Sequence, residues 1–246
     1  MAASMCLTVC VCLLLLPGVK AVCIPAIADI VCVIDSSASI GVDNYQSQMQ
    51  FVADLASQFP IGPSAVQFGA VVFSDYPNKL FDLKDLQDSA SIAQALKTAP
   101  YMKGLTFIDR ALNLVVDTQM FSVPAGERIQ APNIMLLMTD GVSNNNTATL
   151  EAAQRLKAQG VQIIAIGIGL SSDAELQAIA GGPQNVFRSP SFVDLKTIEL
   201  QVEQRLCQAL GNCEESNYGC CYDGKSFALG PNKAGCGKSE IQIIWC

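Results

Sequence analysis

From Ala28 onward the apolar residues fall into two alternating rhythms. Continuous runs from Ile30 to Ile34, Ala65 to Phe73, Ile134 to Met138 and Val161 to Ile168 predict strands buried on both faces. Between the first two, Tyr45, Met49, Val52, Leu55 and Phe59 recur at steps of three and four, which predicts an amphipathic helix ended by Pro60 and Gly62. Further helices are predicted over 89–98, from Phe107 through Val116, over 150–159 with Gly160 as C-cap, and over 193–210. Ser172 and Glu175 read as the capping box of one more, closed by Gly181 and Gly182. Lys79 to Leu83 and Val186 to Arg188 read as shorter strands. Strand alternating with helix predicts an α/β fold, a doubly wound and mostly parallel sheet with helices on both faces. Sheets of this kind bind ligands beyond the carboxyl ends of their strands, where strand order reverses.

Both ends of the chain break the rhythm. Residues 1–21 place a short apolar stretch before Val19 and Ala21, the small residues expected at a cleavage point, and read as a secretory signal peptide. That stretch is too short to span a bilayer comfortably, and no later segment could replace it, so a secreted protein of the extracellular space or matrix with no membrane span is expected. Residues 212–246 lose apolar periodicity and turn to Gly, Asn and Cys. A segment this short and this rich in cysteine needs disulfides for stability.

Cysteine usage agrees with export. Of 11 cysteines, Cys6, Cys10 and Cys12 leave with the signal, and eight remain. Cys32 sits inside the first strand and reads as a buried free thiol acting as a small hydrophobe. Cys23, Cys207, Cys213, Cys220, Cys221, Cys236 and Cys246 are the disulfide candidates, an odd set that favours a link to another molecule and a disulfide-linked oligomer. The chain has no histidine, which removes Ser-His-Asp and Cys-His catalysis and histidine-ligated zinc together. No paired general acid and base stands out either, and a binding protein rather than an enzyme is expected. A net charge of −7 without a basic run disfavours nucleic acid as a partner.

The chemistry concentrates at strand ends. In Asp35-Ser36-Ser37-Ala38-Ser39 the first, third and fifth residues share a side of extended backbone, so one carboxylate and two hydroxyls can converge. An all-oxygen set suits a hard divalent cation, magnesium above all, with manganese or calcium as substitutes. Gly104-Leu105-Thr106 opens a later helix, and Thr139-Asp140-Gly141 ends another buried strand. Asn145-Asn146-Thr147 is the one N-glycosylation sequon, with Asn145 five residues past Asp140.

Together these three strings resemble the von Willebrand factor type A domain, over residues 27–210. The resemblance implies a metal-ion-dependent adhesion site in which Ser37, Ser39 and Thr106 offer hydroxyls, while Asp35 and Asp140 hold coordinating waters or bind directly. One departure is that Phe107-Ile108-Asp109 follow the threonine where the family usually has Asn and a small residue, which leaves the shape of that loop open. The two ends of such a domain commonly lie side by side, so the resemblance also implies a bond from Cys23 to Cys207, with Cys213 the alternative. In the tail, residues 218–236 resemble the cysteine cassette of papilin and other matrix proteins through Cys220-Cys221, Asp223-Gly224, Gly230-Pro231 and Gly235-Cys236, although Tyr222 stands where proline is common.

The function implied is cation-dependent adhesion to an extracellular protein presenting Asp or Glu, a collagen-like or other matrix protein among the options. A structural component of an extracellular or mineralised matrix is the second reading, and a toxin-like secreted effector the third.

Overall fold

The computed structural model describes residues 27–211, with side chains as far as Leu206. The predicted signal peptide, the cysteine cassette, Cys23 and the side chain of Cys207 lie outside the described residues.

The strands are β1 (Ala28–Asp35), β2 (Val66–Phe73), β3 (Pro77–Phe81), β4 (Asn133–Thr139), β5 (Gln162–Ile168) and β6 (Val186–Ser189). The helices are α1 (Val42–Ala56), α2 (Ser89–Lys97), α3 (Ile108–Asp117), α4 (Asn146–Ala158), α5 (Ala174–Ala180) and α6 (Leu195–Gly211). They form one sheet in the order β3-β2-β1-β4-β5-β6, parallel except for β3 at one edge. The predicted doubly wound α/β architecture is the one observed.

Alternation within the strands decides which helix covers which face. Ile30, Cys32 and Ile34 of β1 point into one core with Leu136 of β4, Met49 and Leu55 of α1, Leu96 of α2 and Val202 of α6. Val31 and Val33 point into the other with Leu137, Leu112 of α3, Leu156 of α4 and Ile179 of α5. Every residue of β1 is buried, which is why its sequence reads as an unbroken apolar run between two charged ends. Cys32 is a free, buried thiol, and desolvation pushes its pKa up to about 12, so it stays neutral and packs as a hydrophobe.

Two local expectations are corrected. Ser172 and Glu175 form no capping box, because α5 starts after Asp173 without a side-chain cap and Glu175 is taken by a tertiary contact. Helix α4 begins four residues before the predicted Leu150, with Asn145 as its N-cap accepting from the Ala148 N–H at 3.2 Å.

At the amino-terminal edge of the sheet, Asp29 is fully buried and pairs with Arg128 at 2.7 Å. Arg128 also donates to the carbonyls of Ala28, Pro63 and Ala65, so a single guanidinium ties the start of β1, the turn before β2 and the connection into β4. The opposite, carboxyl-terminal edge is left to the loops that follow β1, β2 and β4. The chain passes from β1 to β2 on one side and returns to β4 on the other, so strand order reverses between β1 and β4.

Candidate metal centre

Asp35 ends β1 with no exposed surface, and its two oxygens accept from the Ser37 N–H at 2.8 Å and the Thr139 hydroxyl at 2.6 Å. Both donors are neutral. Desolvation, reinforced by the nearby Asp140 charge, pushes its pKa up to about 6 against the pull of these hydrogen bonds. A buried carboxylate that lacks a cationic partner has an unmet electrostatic requirement of the kind a divalent cation satisfies.

Ser37 and Ser39 follow, their hydroxyls 3.1 Å apart, and the Ser39 hydroxyl donates to Asp140 Oδ1 at 2.8 Å. Burial raises the Asp140 pKa and the Ser39 bond lowers it, with burial the larger effect. Thr106 completes the group from the second loop. A Cβ placed on Gly141, the residue after Asp140, would lie 3.6 Å from the Thr106 hydroxyl oxygen, which has no hydrogen-bond partner among the described residues. The five residues singled out in the sequence are therefore brought to one place by three loops.

Hydrogen bonds lock those loops to one another. Gly104 forms an isolated parallel bridge with Ser37 and accepts from the Ala38 N–H at 2.8 Å. The Ser36 hydroxyl accepts from the Met102 N–H at 2.7 Å, and the Tyr101 hydroxyl accepts from the Gly41 N–H at 2.9 Å while facing the Ser37 carbonyl at 3.1 Å. Asn144 clamps Thr106 from the third loop, its Oδ1 accepting from the Thr106 N–H and its own N–H donating to the Thr106 carbonyl, each at 2.8 Å. Gly104 is the position where a side chain has no room: a Cβ there would meet the Asp75 carboxylate at 2.4 Å.

Sequence reasoning did not find Asn144, Asp75 or Tyr101 as members of this framework, and it quoted Thr139 without its bond to Asp35. Asp75 shared the one available signal, a carboxylate just past the end of a strand. Nothing local marks Asn144, because its partner lies 38 residues away. Glu175 was assigned to its own helix, yet it accepts from the Ser143 N–H at 2.8 Å and the Asn146 amide at 2.7 Å, and so braces the loop beyond Asp140.

Five oxygen donors, two of them carboxylates, fit a hard divalent cation that keeps some of its waters. Ser37, Ser39 and Thr106 would hold such an ion by their hydroxyls, with Asp35 and Asp140 supplying the charge. The ion would act as a Lewis acid with room for an oxygen from outside. No cluster of three or more His, Cys, Asp or Glu suited to a metal occurs among the described residues, so the oxygen set above is the candidate there.

The doubly wound sheet is shared with a known domain family. The family model of the von Willebrand factor type A domain matches residues 29–201. The chain belongs to that family. Among curated proteins it is 32% identical over 181 residues to the mouse collagen alpha-5(VI) chain, matching 73% of this chain and 7% of the collagen. It is 32% identical over 191 residues to the human collagen alpha-1(XX) chain, matching 76% of this chain and 15% of that one. The chain thus spans only a small part of these relatives. Among solved structures, proximal thread matrix protein 1 from the mussel byssus superposes with a TM-score of 0.67 at 31% identity, over 75% of this chain and 47% of the other. A second structure of that protein, described as having a zinc-occupied MIDAS motif, gives the same TM-score at 32% identity, over 75% and 46% of the two chains. These relatives are matrix proteins. No helix among the described residues is long and apolar enough to cross a membrane.

Proposed function

We propose that this is a secreted, non-enzymatic binding protein of the extracellular matrix, in which a cation held by Asp35, Ser37, Ser39, Thr106 and Asp140 takes a carboxylate from a partner protein. The observation that carries this reading is Asp35, a fully buried carboxylate bonded only to neutral donors beside four further oxygen ligands. Magnesium is the expected resident ion, since few carboxylates and several neutral oxygens are the set it accepts. The kinship with collagens and a byssal matrix protein supports an extracellular setting and a matrix protein as partner. A partner's Asp or Glu would enter the open coordination position, and the surrounding loops would set which partner fits.

The direct test is solid-phase binding of the full secreted chain to purified matrix proteins in magnesium, manganese or EDTA. Binding abolished by EDTA and by Asp140→Ala supports the reading. Binding indifferent to both would favour the second reading, a structural matrix component, which the relation to a thread matrix protein and the cysteine content favour.

A further inference from the structure

Arg110 differs from the other arginines. Arg128, Arg155 and Arg188 each pair with an aspartate, and Arg205 donates to the Asn185 amide. The guanidinium of Arg110 instead lies over the Phe107 ring, 3.7 Å from its centroid, and over the Tyr76 ring at 5.3 Å. Its hydrogen bond goes to the Asp75 carbonyl, and no carboxylate pairs with it among the described residues. A chain of net charge −7 has no shortage of carboxylates to offer. The aromatic faces hold this cation in place and leave most of its N–H fork unused.

The position of this group is what gives it meaning. Arg110 stands one helical turn after Thr106, and Asp75, whose carbonyl it holds, accepts from the Leu105 N–H at 3.1 Å. Phe107, the residue that departs from the usual family pattern, supplies one of the two rings. Tyr76, whose ring lies beside this cation, is 71% exposed, and the loops carrying Thr106 and Asp140 expose Leu105 at 55% and Val142 at 63%. Leu105 adjoins Thr106, and Val142 lies two residues past Asp140.

We propose that Arg110, steadied by Tyr76 and Phe107, is a second anchoring point beside the metal centre and takes a second carboxylate of the partner. The partner segment then presents two acidic side chains in apolar surroundings, one to the cation and one to the guanidinium. Charge complementarity argues for this occupant, because an oriented, unpaired guanidinium is matched to a carboxylate by both charge and geometry. The inference rests on the cation reading above and adds the chemistry of the partner to it.

The test uses displayed random peptides panned on the full chain in manganese and released with EDTA. The released peptides are expected to carry two acidic residues with apolar neighbours. Arg110→Gln should weaken a selected peptide about tenfold or more, the loss expected for a charge-assisted hydrogen bond. Replacing the peptide's second acid by alanine should remove the difference between the two proteins. Manganese must raise the melting temperature of Arg110→Gln as it does that of the parent chain. A variant that loses this rise acts through the metal loops, and the anchoring role is wrong. Equal affinity of parent and variant for EDTA-released peptides overturns the inference but leaves the cation reading standing. A screen that yields no EDTA-released peptide overturns both.

Discussion

The Ser39 hydroxyl donates to the Asp140 carboxylate at 2.8 Å across 101 residues of sequence. This bond joins the loop after β1 to the loop after β4, the two parallel strands between which strand order reverses. The candidate centre is therefore closed by the topology of the sheet, and it exists only in the folded chain.

A ligand that binds only the folded chain stabilises it by mass action. Saturating magnesium or manganese is expected to raise the melting temperature by about 5 to 10 °C for a domain of this size. Asp35→Asn should abolish that rise and yet melt above the parent chain in EDTA, because it removes a buried charge while keeping an acceptor for the Ser37 N–H. Differential scanning calorimetry with and without EDTA reads both effects. A variant that melts lower in EDTA and still responds to cation would count against Asp35 as the charged ligand.

The same carboxylate sets a pH dependence. Its folded-state pKa of about 6 lies above the ordinary value of 3.8, so the folded chain binds this proton more tightly than the unfolded one. The resulting stability is complete below 3.8 and is lost as pH rises through 6. In EDTA the melting temperature should fall across that interval relative to Asp35→Asn. With saturating cation the fall should be suppressed, since the ion competes with the proton.

Arg128→Ala strands Asp29 in the interior without its cation, and breaking a buried pair by removing one partner costs about 3 kcal/mol or more. Urea denaturation should show that loss. The cation-induced rise should persist in the folded variant, because this pair sits at the edge of the sheet away from the metal loops.

Asn145 caps α4 and also heads the sequon, and the two features can be separated. Thr147→Ala destroys the sequon and keeps the cap on α4, whereas Asn145→Gln destroys both. Mass spectrometry of the secreted chain should show one N-glycan, absent from both variants. The cap should be visible only in Asn145→Gln, as a loss of about 1 kcal/mol. Masses that differ only by the substituted side chains would mean that the sequon is unused.

Wherever neighbouring residues decide the structure, the sequence was readable. The unbroken apolar runs of β1, β4 and β5 announced strands covered on both faces, and the steps of three and four from Tyr45 to Leu55 announced the buried side of α1. Asp35, Ser37 and Ser39 were singled out as alternate residues of one extended segment, yet β1 ends at Asp35 and Ala38, Ser39 and Ile40 form a turn, which carries the Ser39 hydroxyl to Asp140. Interactions set by the folded topology were not legible. Helix α4 begins in the polar stretch Asn146-Thr147-Ala148-Thr149, where apolar periodicity has nothing to register. Glu175 had a good local partner pattern, but the loop beyond Asp140 offered it an N–H and an amide together. Asn144 and Asp75 meet their partners, Thr106 and Leu105, only because the sheet brings separate loops together.

Strand β1 lies in the middle of the sheet, in parallel register with β2 along its whole length and with β4 along most of it. Tension entering the domain at Ala28 along the strand axis loads both ladders in shear, so their hydrogen bonds must give way together instead of opening one after another. The Arg128 grip on the Ala28 carbonyl and the Asp29 carboxylate stands at the point where that load arrives. A chain tethered by its amino-terminal side would thus meet mechanical pull first at a strand held by two ladders, at the edge of the sheet opposite the candidate metal loops.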